Sequence, residues 1–320
     1  MAYKKAIKAL KIILPLALGV FLMWLWLGKM SPQDRIDLWN TIKNANPLWI
    51  VISFIFSILS HISRAYRWKF MLEPMGYKPK LGNSLAAVMT GYFANTFVIR
   101  SGEVLRAVSI QRTDKIPFEK AFGTIVSERI ADLIMLLLIM ITAVILQSTT
   151  LIDYFKREAN PIPSIISLAV LLIIGIIGLR ILKKSSHSFI VKIRAFGLGI
   201  LEGVKSILSM KKNAAFIFHT LFIWTMYIAM FWIVTFTVPG LQGISTGVTL
   251  AAFVVGAFAM SATNAGMGAY PIAMVAVFTF FGYTDTDGNA FGSIIWGTQT
   301  IFNIIIGGLF ALYIFVIRRR

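Results

Sequence analysis

The sequence predicts an all-α, polytopic membrane protein, and three observations indicate this class. Hydrophobic residues make up 58% of the 320 positions and charged residues only 14%, whereas about a quarter of the residues in a soluble domain are charged. The apolar residues lie in long blocks, and about 20 helical residues cross the roughly 30 Å hydrocarbon layer of a bilayer. Backbone polar groups in lipid must be satisfied within their own segment, so we expect these blocks to be helices.

Six apolar blocks are long enough to be complete spans, at 11–28, 47–66, 119–147, 163–182, 213–238 and 289–317. The first block follows a run of lysines and therefore imitates a secretory signal peptide. It has no clear small-residue cleavage site, so we expect an uncleaved first helix, and a removed signal is the alternative.

Two further apolar regions are interrupted. Residues 84–99 provide only about 24 Å of helical rise, less than the hydrocarbon thickness, and run directly into Arg100-Ser101-Gly102-Glu103. Residues 246–262 and 267–283 are separated by a glycine-containing break at 264–268. Short or glycine-interrupted segments in corresponding places of two halves are typical of re-entrant hairpins at a transporter site.

The predicted fold is therefore six full spans plus two re-entrant or broken hairpins in an inverted-repeat arrangement, and eight full spans is the alternative. We expect one transmembrane domain over 1–320. Its first half, 1–147, contains the hairpin 84–111, and its second half, 163–320, contains the hairpin 246–283.

Basic residues predict the orientation of these spans. The net charge is +18, but the basic residues cluster at the ends of apolar blocks, which indicates membrane edges and no nucleic-acid partner. Predicted outer segments contain only Lys29, Arg35, Lys43, Lys156 and Arg157. The positive-inside rule then places both termini on the cytoplasmic side of a cytoplasmic (inner) membrane.

The segment 187–210 differs from the spans. Apolar residues recur at helical spacing with basic residues between them, as in a helix lying on the cytoplasmic leaflet. We expect a surface helix that links the two halves. Its apolar positions are Phe189, Ile193, Phe196, Ile200, Val204 and Ile207.

Three arginines fall inside or at the edge of apolar blocks: Arg64, Arg100 and Arg129. A charge at bilayer depth costs about 2.5–3.5 kcal/mol on insertion scales, so such residues usually face a polar cavity and have a function. Helical spacing places other ionisable groups on the same faces, because residues three or four apart are neighbours. These groups are His61 beside Arg64, Glu128 beside Asp132, and Glu103 between Arg100 and Arg106.

The planar guanidinium group donates two parallel hydrogen bonds and stays charged, so arginine is suited to phosphate. Helix ends that meet at a break also expose N–H groups that hold anions. The predicted substrate-binding residues are Arg64, Arg100, Glu103, Arg106, Asn264, Gly266 and Gly268. The predicted supporting ion network is His61, Glu128, Arg129 and Asp132.

Structural roles are the alternatives for several of these residues. The acidic and basic groups at 128–132 fit a network that only ties helices together, and the break at 264–268 fits a small-residue packing seam. Arg67 lies near a predicted cytoplasmic end, where we expect its side chain to extend to the headgroups. We expect His219 to be a satisfied packing residue. The tryptophans that fit interfacial belts are Trp24, Trp26, Trp49, Trp68 and Trp296.

Enzymatic chemistry is not indicated. The three histidines are far apart, there is no cysteine, and no metal-ligand or nucleophile motif is visible. We therefore expect no catalytic residues, no metal and no cofactor.

Three charged patches stand out along the chain: Arg64-Ala65-Tyr66-Arg67-Trp68, Arg100-Ser101-Gly102-Glu103-Val104-Leu105-Arg106 and Ser127-Glu128-Arg129-Ile130-Ala131-Asp132. They resemble the signature patches of a known family, the lysylphosphatidylglycerol synthase transmembrane region or flippase-like domain. The break Gly266-Met267-Gly268 is similar to the family's fourth patch, and order and spacing agree over nearly the whole chain.

The resemblance implies a lipid-translocating fold with two inverted repeats and re-entrant helices around a central cavity. In fused members this region flips aminoacylated phosphatidylglycerol, while a separate soluble domain attaches the amino acid. We expect a stand-alone member without that aminoacyltransferase domain, so aminoacyl transfer is not implied. The chain has Val98-Ile99 where the family has a proline, and no glutamate in the break at 262–271.

The sequence therefore predicts a lipid flippase or transporter that moves an anionic, phosphate-bearing lipid across the membrane. Its expected partners are an anionic phospholipid or other lipid phosphate and the membrane, and a homo-oligomer is compatible with the sequence. The main alternative is a non-transporting scaffold or subunit for a lipid- or glycan-modifying partner. An intramembrane enzyme acting on a lipid phosphate and a carrier of soluble substrates are further alternatives.

Overall fold

A computed structural model describes residues 2–150, 152, 205 and 207–317. Within these residues the chain is helical, and the described part contains no β-strand. The predicted span 163–182 and nearly all of the predicted surface helix 187–210 lie outside the described residues. The helices are α1 (Ala2–Lys29), α2 (Pro32–Asn44), α3 (Pro47–Leu72), α4 (Leu81–Phe97), α5 (Ser101–Asp114), α6 (Phe118–Leu146), α7 (Asn213–Val234), α8 (Thr246–Ala262), α9 (Ala269–Phe280) and α10 (Asp285–Leu312).

Four of these helices are long and apolar enough to cross a membrane: α3, α6, α7 and α10. They coincide with four of the six predicted spans, at 47–66, 119–147, 213–238 and 289–317. A fifth candidate span arises if Leu14–Gly28 and Pro32–Asn44, which are bent by 105° at the break between them, are taken together. The chain is therefore a multi-pass helical membrane protein, and the complete arrangement of six spans and two re-entrant hairpins stays a prediction.

Helix α2 is an element that the sequence analysis did not predict. The Ser31 hydroxyl accepts a hydrogen bond from the Asp34 backbone N–H, and the Asp34 carboxylate accepts one from the Ser31 backbone N–H. This reciprocal pair is a capping box, and Pro32 at the first helical position fixes φ for the helix start. The signal Ser-Pro-x-Asp was therefore present in the sequence, in a segment too polar to stand out as a span.

Helices α4 and α5 form the first hairpin, in the region where the sequence predicts one. The chain reverses at Arg100, whose φ is +59°. The two helices cross at Gly91 and Gly102, and a Cβ atom on Gly102 would overlap the Gly91 carbonyl oxygen. The hairpin encloses a core with α3 and α6 that includes Trp68, Leu72, Ala87, Ala107, Ile110 and Ile125.

Helices α8 and α9 form the second broken pair. The break contains three residues with positive φ, at +48° for Ala265, +76° for Gly266 and +69° for Gly268. The Trp296 indole N–H donates to the Ala265 carbonyl oxygen at 2.8 Å. A larger core with α7 and α10 surrounds this pair and includes Phe231, Met274, Phe278 and Phe291.

The breaks of the two hairpins contact each other. The Asn264 amide Nδ2 donates to the Phe97 carbonyl oxygen at 2.7 Å. Phe97 is the last residue of α4, so this bond satisfies a carbonyl at a helix C-terminus that has no partner within the helix. The second break is therefore anchored directly to the tip of the first hairpin.

Candidate functional site

A buried ion network joins α3 to α6. The Arg67 guanidinium lies 2.7 Å from Glu128 Oε1 and 3.2 Å from Asp132 Oδ1. The Arg64 guanidinium lies 2.9 Å from Asp132 Oδ2. The expectation that Arg67 extends to the headgroups is wrong, since its side chain is 0% exposed. Arg67 is three residues from Arg64, so both face α6, where two carboxylates one turn apart bind them.

Arg106 from the first hairpin completes the network. Its Nη1 lies 2.6 Å from Glu128 Oε2, and its guanidinium stacks 4.0 Å from the Trp68 ring centroid. The Trp68 indole N–H donates to the Thr124 hydroxyl at 2.8 Å, and Trp68 is fully buried. The prediction that Trp68 belongs to an interfacial belt is therefore wrong. An indole ring is one of the best cation–π partners, and here it holds the Arg106 side chain.

Arg129 and Arg100 are the more accessible cations. Arg129 lies 3.1 Å from Glu103 and 3.5 Å from Asp132, yet 47% of its side-chain surface stays exposed. Arg100 is exposed, and no carboxylate within the described residues forms an ion pair with it. These two guanidinium groups therefore retain donors for another molecule, whereas those of Arg64, Arg67 and Arg106 are buried against carboxylates.

A cavity of about 640 Å³ opens beside the network. Its charged wall consists of Arg64, Arg100, Arg129 and Asp132, and His61 also lines it. The remaining wall is mostly aromatic and apolar, with a few amide and hydroxyl groups. It includes Ser57, Tyr92, Leu136, Trp224, Tyr227, Phe231, Phe253, Met260, Tyr270, Trp296, Gln299 and Asn303.

A second, much smaller cavity of about 20 Å³ adjoins the first, and that volume suffices for about one water molecule. Arg64, Tyr92 and Arg129 line both cavities and so separate them. The Tyr92 and Tyr227 hydroxyls lie 2.8 Å apart, and Arg64 Nη2 donates to the Tyr227 hydroxyl at 3.3 Å. The wall between the cavities is therefore held by hydrogen bonds among three helices.

The structure brings together the predicted residues of the first half of the chain. His61, Arg64, Arg100, Arg129 and Asp132 line the larger cavity, Glu103 and Arg106 line the smaller one, and Glu128 is fully buried within the network. His219, by contrast, is a packing residue that bonds the Ser63 hydroxyl at 2.8 Å, as expected.

Asn264, Gly266 and Gly268 make packing contacts and do not line the cavity. Asn264 binds the Phe97 carbonyl, Gly266 packs against Met260, and Gly268 packs against the α1 backbone at Leu22 and Met23. These contacts favour the packing-seam alternative for the break, and a substrate-binding role of the three residues stays a prediction.

Several wall residues were not predicted. Tyr92, Tyr227, Trp296 and Gln299 stand in apolar helices, where a single polar or aromatic residue gives no distinct signal. Gln299 accepts from the Ser57 hydroxyl at 3.2 Å, so α3 and α10 are joined along the cavity wall. Three or more potential metal ligands do not come together anywhere in the described ranges.

Comparison with known proteins identifies the family. The family model for the lysylphosphatidylglycerol synthase TM region matches residues 12–307. The chain belongs to this family. The match covers every residue that lines the cavity, and it includes the three charged patches that contribute to the ion network.

Three curated relatives of this family member match shorter segments. A UPF0104 membrane protein, MJ1595, from Methanocaldococcus jannaschii is 32% identical over 96 residues, which is 29% of this chain and 29% of the relative. A UPF0104 membrane protein from Methanothermobacter thermautotrophicus is 23% identical over 135 residues, or 42% of this chain and 38% of the relative. The glycosyltransferase AglD from Haloferax volcanii is 25% identical over 118 residues, or 36% of this chain and 19% of that protein.

The matched segments therefore span well under half the length of these relatives. No solved structure matches the chain. What the family establishes is a multi-pass membrane protein of the lysylphosphatidylglycerol synthase TM type.

Proposed function

We propose that this protein is a lipid flippase or transporter that moves an anionic, phosphate-bearing lipid between the leaflets of a cytoplasmic membrane. The observation that carries the proposal is the charged wall of the 640 Å³ cavity, where Arg100 and Arg129 retain exposed guanidinium groups among membrane-spanning helices. Placing ionised groups at this depth in the membrane costs free energy, and a bound anion offsets part of that cost.

The balance of charge supports an anion. Five guanidinium groups, those of Arg64, Arg67, Arg100, Arg106 and Arg129, gather with three carboxylates, which belong to Glu103, Glu128 and Asp132. The network therefore retains an excess of positive charge. Clefts with low-dielectric walls and charge of one sign concentrate the opposite ion, here the phosphate of a lipid.

The rest of the cavity suits the remainder of a lipid. Leu136, Met230, Phe253 and Met260 supply apolar wall to the same cavity. A headgroup phosphate bound to Arg129 and Arg100 would leave the adjoining part of the lipid against this surface. Binding at the arginines orients the lipid, because two parallel guanidinium–phosphate hydrogen bonds fix the direction of the phosphate.

The proposal includes an inverted topology. The first hairpin would enter from the cytoplasmic side and the second from the opposite side, with both termini cytoplasmic according to the distribution of basic residues. The bond between Asn264 and Phe97 supports this, since hairpins that enter from opposite faces and stop midway would meet at their tips. Alternating exposure of the cavity would follow from movement of one hairpin against the other.

Reconstitution tests the proposal. The full chain is placed in liposomes that contain a fluorescent phosphatidylglycerol, and a membrane-impermeant quencher reports how much of the lipid changes leaflet. We expect protein-dependent movement that Arg129→Gln slows at least tenfold, with a similar effect of Arg100→Gln. Lys120→Gln, which removes an exposed cation away from the cavity, is the matched control. Equal rates for all variants would contradict the proposal.

A scaffold role is the second candidate, and one observation favours it. A 118-residue segment of this chain matches a relative named as a glycosyltransferase, so the same membrane region occurs in a protein whose name denotes glycan modification. A stable complex with a lipid- or glycan-modifying protein, combined with no lipid movement by the purified chain, would support this alternative. The proposal assigns no catalytic step to the described residues.

A further inference from the structure

The cavity extends well beyond its arginines. Ser57, His61 and Arg64 line it from one face of α3. Ser57 and Arg64 are seven positions apart, which corresponds to about 10 Å of helical rise. Gln299 and Asn303 line it from α10. A ligand held by Arg100 and Arg129, which line the same cavity, therefore has room for a second group within it.

The groups along this extension are polar and uncharged. The Ser57 hydroxyl donates to Gln299 Oε1 at 3.2 Å, and Gln299 Nε2 donates to the Ser53 hydroxyl at 3.4 Å. Both bonds are long for their type, so a ligand hydroxyl competes well with them. Asn303 Oδ1 is buried without a hydrogen-bond partner in the described part of the chain, and a buried unpaired amide oxygen is costly.

Aromatic rings face the same space. Trp224, Tyr227, Tyr270 and Trp296 line the cavity alongside these amides and hydroxyls. The π face of such rings carries partial negative charge and attracts the weakly positive C–H groups on a face of a saturated, hydroxylated ring. Amide groups then bond the ring's hydroxyls, which both donate and accept.

We infer that the preferred lipid carries a neutral, hydroxyl-rich ring, a sugar or a cyclitol, on its phosphate. The inference rests on the proposed function and adds the class of headgroup. The arginines bind the phosphate, and Ser57, Gln299 and Asn303 with the neighbouring rings bind the hydroxylated group. A glycerol headgroup satisfies the arginines but offers no hydroxylated ring to the amides on α10 and the neighbouring aromatic rings.

Two lipids of equal charge test this inference. Fluorescent phosphatidylinositol and phosphatidylglycerol each carry one negative charge at neutral pH, and they differ in whether a hydroxylated ring follows the phosphate. Each is placed separately in phosphatidylcholine liposomes with the full chain, and its movement between leaflets is followed with an impermeant quencher. We expect the inositol lipid to move about tenfold faster than the glycerol lipid.

Variants on α10 assign the difference to named side chains. Gln299→Leu removes the amide at similar volume, and we expect the ratio of the two rates to fall about fivefold, the effect of losing one hydrogen bond between uncharged groups. We expect the ratio of the two rates to fall in Asn303→Leu and in the milder Ser57→Ala as well. The test therefore does not depend on the folding of any single variant. Thr298→Val is the matched control, because the Thr298 hydroxyl bonds its own helix at the Ile294 carbonyl and does not line the cavity.

The outcomes separate this inference from the proposed function. We expect the inositol lipid to move faster than the glycerol lipid. The ratio of the two rates should fall in Gln299→Leu, Asn303→Leu and Ser57→Ala but not in Thr298→Val. Equal movement of both lipids, or a ratio unchanged in all three cavity variants, overturns the headgroup class and leaves anionic lipid transport in place. If neither lipid moves between leaflets, the proposed function is overturned, and this inference with it.

Discussion

Arg67 and Glu128 form an ion pair of 2.7 Å in which the side chains are 0% and 1% exposed. Glu128 also bonds Arg106 at 2.6 Å, so one carboxylate pairs with two buried cations from different helices. Breaking a buried ion pair by removing one partner typically costs 3–5 kcal/mol, because the remaining charge is uncompensated. We therefore predict that Glu128→Gln lowers the free energy of unfolding by about 3–5 kcal/mol.

Unfolding in mixed detergent micelles, followed by tryptophan fluorescence, measures this change. Glu119→Gln is the control, since Glu119 lies on the same helix, is exposed and forms no ion pair with a described residue. A loss in Glu128→Gln no greater than that in Glu119→Gln would show that the network contributes little to the fold.

Glu103 has a different relationship to its cation. It lies 3.1 Å from Arg129, and the two side chains are 23% and 47% exposed, so this pair is only partly buried. Exposed ion pairs contribute about 0–1 kcal/mol. We predict that Glu103→Gln changes stability by less than about 1 kcal/mol and frees Arg129 for the lipid phosphate. The concentration of anionic lipid that gives half-maximal transport should then fall about two- to fivefold.

A lipid titration of the transport rate in liposomes checks this second prediction, with Glu119→Gln as the carboxylate control. A rise in the half-maximal concentration would contradict the prediction. It would mean that Glu103 contacts the lipid directly and is not only the counter-ion of Arg129.

Local spacing was enough to predict which ionisable residues share a helix face, and it was not enough to predict their partners. Glu128 and Asp132 are four apart, which indicates one acidic face. Arg67 and Glu128 are 61 positions apart, and nothing local indicates that Arg67 turns inward to meet α6. The Tyr92–Tyr227 bond joins residues 135 positions apart in two apolar helices, so only the packing of those helices reveals it.

The crossing of α4 and α5 gives a third prediction. A Cβ atom on Gly102 would overlap the Gly91 carbonyl oxygen and the Asn95 side-chain amide. Overpacking at such a contact usually costs 1–3 kcal/mol. We predict that Gly102→Ala destabilises the protein by about 1–3 kcal/mol and displaces Arg106 from Glu128.

The matched control is Gly123→Ala on α6, where nothing lies within 4 Å of the added methyl group. Alanine is the better helix former, so this variant should be neutral or more stable by up to about 1 kcal/mol. Thermal unfolding in detergent compares the two. Equal effects of both substitutions would mean that the hairpin does not close at Gly102.

Cysteine labelling gives the last prediction, because the chain contains no cysteine and every introduced thiol is unique. If the second hairpin is re-entrant from the outer side, Met267→Cys at its break should resist impermeant maleimide from both sides. Lys78→Cys should then label only from the cytoplasmic side and Lys43→Cys only from the outer side. If α8 and α9 are instead two full spans, Met267→Cys would label from the cytoplasmic side at a rate comparable to that of Lys78→Cys. The contact between Asn264 and Phe97 favours protection, since a break bonded to the tip of the first hairpin cannot also lie in cytoplasmic water.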